Sequence, residues 1–279
     1  MTDATPFRLS VPQPLRDAAE PGAVQLGDLP EWNLDDLYPG MESDALKADL
    51  DKLAADCTSF AADYEGKIAD LDAAGMLTCI QRYETNSETA GRIMSYAGLL
   101  HAQDTTDPVR GKFMSDMQGK VNEATTALVF FSLEMNRVPD ATLEANLKAN
   151  ADLARYKPVL DRLRKMKPHQ LSDELEHFLH DQGVVGASAW VRLFAETMAG
   201  LRFTVDGEEK ALEATLDMLS DHDRATREKG ARALVEVFAK NVSLFSRITN
   251  TLAKEKEIED RWRKLPSPQA ARHLANDVE

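Results

Sequence analysis

The chain has 279 residues, 43% hydrophobic and 29% charged, ordinary usage for a folded protein with one large domain or two smaller ones, and not that of a disordered chain. Its 33 Lys and Arg against 47 Asp and Glu leave a formal charge of −14, so the average surface repels a phosphate backbone and no nucleic acid partner is expected. The N-terminus has no basic start followed by an apolar core, and the longest nearly apolar run, Ala127 to Leu133, falls far short of the ~18 residues of a spanning helix, so neither export nor membrane insertion is expected.

Residues 1–30 are rich in Pro, Ala and acidic groups without periodicity, which predicts a mobile tail. From Ser43, Leu46, Leu50, Leu53, Cys57, Phe60 and Tyr64 recur every three or four residues, the mark of one buried helical face. Met76 to His101 repeats the pattern with a possible break at Asn86-Ser87, so two helices or one kinked helix are expected. Asp107-Pro108 is a helix start, because the aspartate can accept from an orphan amide and proline loses no bond there. The pattern predicts a helix from there to about Asn136, and another from Pro139-Asp140 to about Met166, stopped by Lys167-Pro168. Leu171 to His180 and Ala187 to Ala199 read as a helix pair joined by Gly183 and Gly186.

Leu201 to Val205 followed by Asp206-Gly207 is the one convincing hairpin signal. Ser220-Asp-His-Asp223 then resembles a capping box. It opens a long helix in which Leu234, Phe238, Val242, Phe245, Ile248 and Leu252 form a stripe that Val235, Val237 and Leu244 widen, predicting burial on much of its circumference. Pro266 and Pro268 stop it, and residues 269–279 read as a further helix just begun. The fold class expected is all-α: a multi-helix lobe over residues 31–200, then a short β-hairpin and the first long helices of a second domain over 201–279.

Side chains capable of chemistry are sparse. Glu174, His177 and His180 lie three apart on one helical ridge and could approach a metal, but no second ligand-bearing element accompanies them and a solvated face is the plainer reading. Glu174-x-x-His177 also imitates half of a di-iron carboxylate site, whose second Glu-x-x-His is missing from the sequence. Gly186-Ala-Ser188-Ala-Trp190 falls short of a nucleophile elbow, since Trp190 replaces the second glycine and no strand precedes it. Arg162, Arg164, Lys165 and Lys167, and likewise Arg261, Arg263 and Lys264, sit near predicted helix C-termini, where cations complement the dipole. Trp32, Trp190 and Trp262 read as core or interdomain anchors. Cys57 and Cys79 are the only cysteines, which suits a reducing compartment and a cytoplasmic location. No catalytic, cofactor-binding or metal residue is assigned.

Three segments carry a family resemblance: Leu171 to Phe203 (LSDELEHFLHDQGVVGASAWVRLFAETMAGLRF), Trp32-Asn-Leu-Asp-Asp-Leu-Tyr38-Pro, and Arg224 to Trp262 ending in Lys-Glu-Ile-Glu-Asp-Arg-Trp. Together they resemble the N-terminal portion of oligoendopeptidase F, a thimet-oligopeptidase-like zinc metallopeptidase. The resemblance implies helical lobes around a channel that admits short peptides, with zinc held by an HExxH motif and a later glutamate. No HExxH occurs in these 279 residues, so the zinc is expected outside this chain, which would supply channel wall and be inactive as it stands. Its expected partners are short peptide substrates and a missing C-terminal catalytic half. A free-standing helical binding or scaffold module remains the alternative.

Overall fold

The computed structural model describes residues 33–278; the stretch expected to be a mobile tail, and Trp32, lie outside the described residues. The chain is all-α apart from one hairpin. Helix α1 (Asp44–Tyr64) is capped by Ser43, whose hydroxyl accepts from the Leu46 amide. It packs on α2 (Ala73–Gln103) and α3 (Pro108–Thr126), and Leu46, Leu53, Cys57 and Phe60 face inward as their spacing requires.

Before α1, Tyr38 is fully buried. Its ring stands edge-on to Tyr96 at 5.4 Å, its hydroxyl donates to Asp49 at 2.7 Å, and the Arg92 guanidinium lies 4.7 Å from its ring centre. Arg92 also donates to the Leu37 carbonyl at 2.7 Å. The Leu-Asp-Asp-Leu-Tyr segment is therefore a packing anchor, joining aromatic burial to a cation–π contact.

Several expectations need correction. Helix α2 runs unbroken through Asn86 and Ser87, with Asn86 buried, because packing against two neighbours outweighs their weak helix propensity. The helix expected to reach Asn136 ends at Thr126, and α4 (Val129–Arg137) restarts after a tight turn in which Leu128 donates to the Thr125 carbonyl. The hydroxyls of Thr125 and Thr126 bond back to the carbonyls of Val121 and Asn122, a side-chain competition that loosens a last turn. The restart turns Phe130 and Phe131 onto Phe60.

The helix expected over Pro139 to Met166 is three: α5 (Asp140–Ala149), α6 (Ala151–Ala154) and α7 (Lys157–Lys165). Asn150 ends the first and caps the second, accepting from Asp152 and Leu153, while Pro158 sits in the opening turn of the third. Arg164 donates to the carbonyls of Met135 at 2.8 Å and Val138 at 2.6 Å, satisfying the end of α4.

Helices α8 (Asp173–Gln182) and α9 (Ala187–Gly200) form the expected pair. Strands β1 (Phe203–Val205) and β2 (Glu208–Lys210) pair antiparallel, with Val205 opposite Glu208. Asp206 and Gly207 take φ of 52° and 87°, the positive values a two-residue hairpin turn needs. After α10 (Leu212–Asp217), helix α11 runs Arg224–Trp262. Its cap is Asp223, which accepts from Ala225 and Thr226, whereas Ser220 closes a 3-10 turn, so the expected capping box does not form. A last short helix, α12, spans Ala270–Ala275.

Two apolar cores result within Leu34–Glu279, which by its contacts is one unit. The larger joins α1 through α7, and the smaller joins Phe203 and Val205 of the hairpin to Ala233 and Leu234 of α11. Phe203, Phe238, Phe245 and Phe194 continue the smaller core as an edge-to-face series at 5.7 to 6.2 Å. Helix α11 is covered on one side only, less than its wide apolar stripe calls for: Val235 and Val242 are exposed at 69% and 59%.

Candidate functional site

Helices α8 and α9 run back along the C-terminal half of α11, and the space between them is a groove of about 1000 Å³. Phe178, Val185, Trp190, Ile258 and Trp262 are among its apolar lining, and Ser243, Ser246, Arg247, Asn250 and Thr251 among its polar one. Trp262 is 55% and Phe178 59% exposed and Trp190 is half-buried, so Trp262 is not a core residue of this chain. A fully packed core would leave neither ring half in water.

Behind the groove lies a cavity of about 670 Å³ with a mixed polar and apolar lining, reaching Tyr83 and Ser87 of α2 and Thr125 of α3. Glu176 and Arg263 line this cavity, joined to each other by bonds of 2.7 and 2.9 Å, with both side chains largely buried at 14% and 13% exposure. Glu176 also accepts from the Leu171 amide, and Arg263 donates to Glu259 at 2.6 Å. Burial alone would raise the Glu176 pKa, but the Arg263 hydrogen bond, the Leu171 amide and the guanidinium charge outweigh it and hold the carboxyl below its ordinary value. Arg263 is shifted upward, chiefly by its hydrogen bond to Glu176. The carbonyl of Arg263 lies 2.9 Å from His169 Nδ1, so the end of α11 is locked to the segment preceding α8.

At the other end of α8, Glu255 of α11 accepts from the Ala187 amide at 3.1 Å. A Cβ on Gly186 would lie 2.8 Å from the same carboxylate oxygen, so glycine permits the approach. A carboxylate placed at the opening turn of α9 also suits the positive end of that helix.

The metal-like ridge does not converge. His180 Nε2 lies 3.4 Å from both Thr125 Oγ1 and the Asn122 carbonyl on α3, while Glu174 points to solvent. Among the described residues no three His, Cys, Asp or Glu side chains are placed to hold a metal ion. The HExxH ligands of the resembling family are absent from the sequence, so the residues present do not fit that zinc. Ser188 lies in the first turn of α9 behind a helix, not on a strand-to-helix elbow. The basic clusters make internal contacts: Arg162 and Lys165 pair with Asp277, and Arg164 and Arg263 bind carbonyls and carboxylates. Cys57 and Cys79 are buried, and burial pushes their thiols up to about 11 and about 12, far from an activated thiolate.

Sequence reasoning missed the polar row on α11. Its signal was present, since Ser243, Ser246, Asn250 and Lys254 recur at three or four, with Thr251 beside Asn250, but such a row reads as a solvated face until an apolar wall is placed opposite.

The family model described as Oligopeptidase F matches residues 134–203, which include α8, α9 and the groove wall they form. Oligopeptidase PepF of Bacillus subtilis (strain 168) is 22% identical over 279 aligned residues, covering 94% of this chain and 40% of its own length. The solved structure of oligoendopeptidase-F from Enterococcus faecium superposes with a TM-score of 0.75 at 20% identity, over 84% of this chain and 47% of that one. A second, of a candidate peptidase from Chlamydophila abortus, gives 0.53 at 15% identity, over 89% of this chain and 42% of its own. The chain thus spans less than half the length of each of these proteins. In sequence and in fold the chain is thus similar to the N-terminal portion of oligoendopeptidase F proteins.

Proposed function

We propose that this chain forms the N-terminal wall of a channel in a cytoplasmic, zinc-dependent oligoendopeptidase that hydrolyses short peptides. In this reading residues 31–200 are an N-terminal lobe and 201–279 open the catalytic domain, whose zinc-binding half is a separate stretch of polypeptide. The observation that carries it is the half-exposed apolar groove along α8 and α11, whose α8 wall lies in the segment that the family model matches. A groove of this size is within the range that accepts a small ligand or a short chain. The uncovered Val235 and Val242 of α11 would receive the catalytic half. When bound there, zinc would activate water and polarise the scissile carbonyl; this chain's own part is to bind and confine the peptide. No helix among the described residues is long and apolar enough to cross a membrane.

The test is to read the coding frame beyond the Glu279 codon and to assay the full gene product. We expect an HExxH motif downstream, chelator-sensitive cleavage of a quenched-fluorescent octapeptide, and no cleavage of a folded protein. A stop codon with no such motif in the neighbouring gene, together with no cleavage, would transfer the reading to a helical protein-binding module.

A further inference from the structure

The groove between α8 and α11 has one wall rich in aromatic and aliphatic side chains and another bearing a row of polar groups. Ser243, Ser246, Asn250 and Thr251 on α11 and Gln182 on α8 line it, and none makes a side-chain hydrogen bond among the described residues. Elsewhere in this chain helical threonines bond back to the carbonyl four residues earlier, as Thr58, Thr78, Thr85, Thr89 and Thr197 do. The groove's polar groups are thus left facing outward with donors and acceptors unspent. One turn along α11 from Ser243, Arg247 also lines the groove and has no ion pair among the described residues, in a chain whose formal charge is −14.

We infer that this groove seats a short peptide in extended form, apolar side chains against Phe178, Trp190 and Trp262, with its C-terminal carboxylate on Arg247. The inference rests on the peptidase reading and adds to it the conformation, direction and side-chain class of the peptide. A helical occupant satisfies its own backbone and would leave the polar row idle, whereas an extended chain presents N–H and C=O groups along its whole length. From Ser243 to Trp262 the helix rises about 28 Å, which an extended chain of about eight residues spans. Alternate side chains of such a chain point the same way, so every second residue meets the apolar wall. The planar guanidinium of Arg247 suits a terminal carboxylate through paired hydrogen bonds.

The probe is a fluorescein-labelled octapeptide alternating leucine or phenylalanine with serine, as the free acid and as the C-terminal amide, titrated into the 279-residue chain by fluorescence anisotropy. We expect Arg247→Gln to weaken the free acid about tenfold, a loss typical of one charge-assisted contact, and to leave the amide unchanged. Phe178→Ser should weaken both forms. Both positions are exposed, so folding should survive; if the melt of Phe178→Ser shifts, Trp262→Ser replaces it. Binding indifferent to these substitutions, equal affinity for acid and amide in the native chain, or tighter binding of a helix-stapled version would overturn the inference. Such a failure leaves peptide cleavage by the full gene product untouched, and loss of cleavage with intact groove binding would strike the enzyme reading alone.

Discussion

Arg263 is the residue on which most of the groove's frame depends. Its guanidinium meets Glu176 twice and Glu259 once, and its carbonyl meets His169, so a single position ties α11 to α8 and to the segment before it. Truncating one partner of a largely buried pair leaves the other charge uncompensated, and we expect Arg263→Ala to cost about 3 kcal/mol in urea denaturation. The pair also sets a pH dependence. Because the folded-state pKa of Glu176 is lowered from its ordinary value of 4.5, its contribution is fully present above that value and is lost as pH falls through the folded pKa. The stability gap between the native chain and Glu176→Gln should therefore be largest near neutrality and shrink between pH 4.5 and strongly acid solution. A gap that stayed constant down to pH 3 would show that Glu176 acts by packing alone.

At the scale of elements, α11 is held by close backbone approach as well as by side chains. A Cβ on Gly230 would lie 2.9 Å from Met218 Cβ and 3.2 Å from the Thr215 carbonyl, and neither is the end of a flexible side chain that can move aside. We expect Gly230→Ala to destabilise the hairpin and α11 by about 2 kcal/mol, the usual range for overpacking, in spite of alanine's better helix propensity. Hydrogen exchange would localise the loss to α10 and the start of α11 while the α1 to α3 core stays protected. Asp223→Ala, which removes the side chain that accepts from Ala225 and Thr226, should lower the midpoint of the thermal melt. Its effect should be confined to the same region.

For the whole molecule, the imbalance between the two cores matters most. The larger is enclosed by α1 through α7, but the smaller has neighbours on one side of α11 only, leaving Val235, Val242 and, on α9, Val191 in water. Each large apolar side chain left exposed forgoes about 1.5–3 kcal/mol of burial, a sizeable share against a domain's total stability. We predict that the 279-residue chain self-associates reversibly in sedimentation equilibrium, and that Val235→Ser with Val242→Ser reduces it. Its α11 amides should exchange faster than those of α2. A monomer at all concentrations, with α11 as protected as α2, would mean that this face needs no partner and would favour the stand-alone binding module.

Much of this architecture was legible from residue order alone. The helices from Ser43, Asp107-Pro108 and the pair at Leu171 and Ala187, the Asp206-Gly207 hairpin and the great length of α11 all follow from apolar period, caps and turn residues, which act through near neighbours. Local signals also marked breaks that were passed over: Asn150 and Pro158 could have divided the α5 to α7 stretch. The continuity of α2 through Asn86 could not be read locally, because burial between neighbours decided it. The groove is likewise a tertiary fact. Arg247, Asn250 and Trp262 read singly as a surface cation, a surface amide and a core ring. Only the return of α8 and α9 along α11 puts an apolar wall opposite a polar row, since which helix faces lie together depends on contacts between residues some seventy to ninety positions apart, such as Ala187 with Glu255 and Glu176 with Arg263.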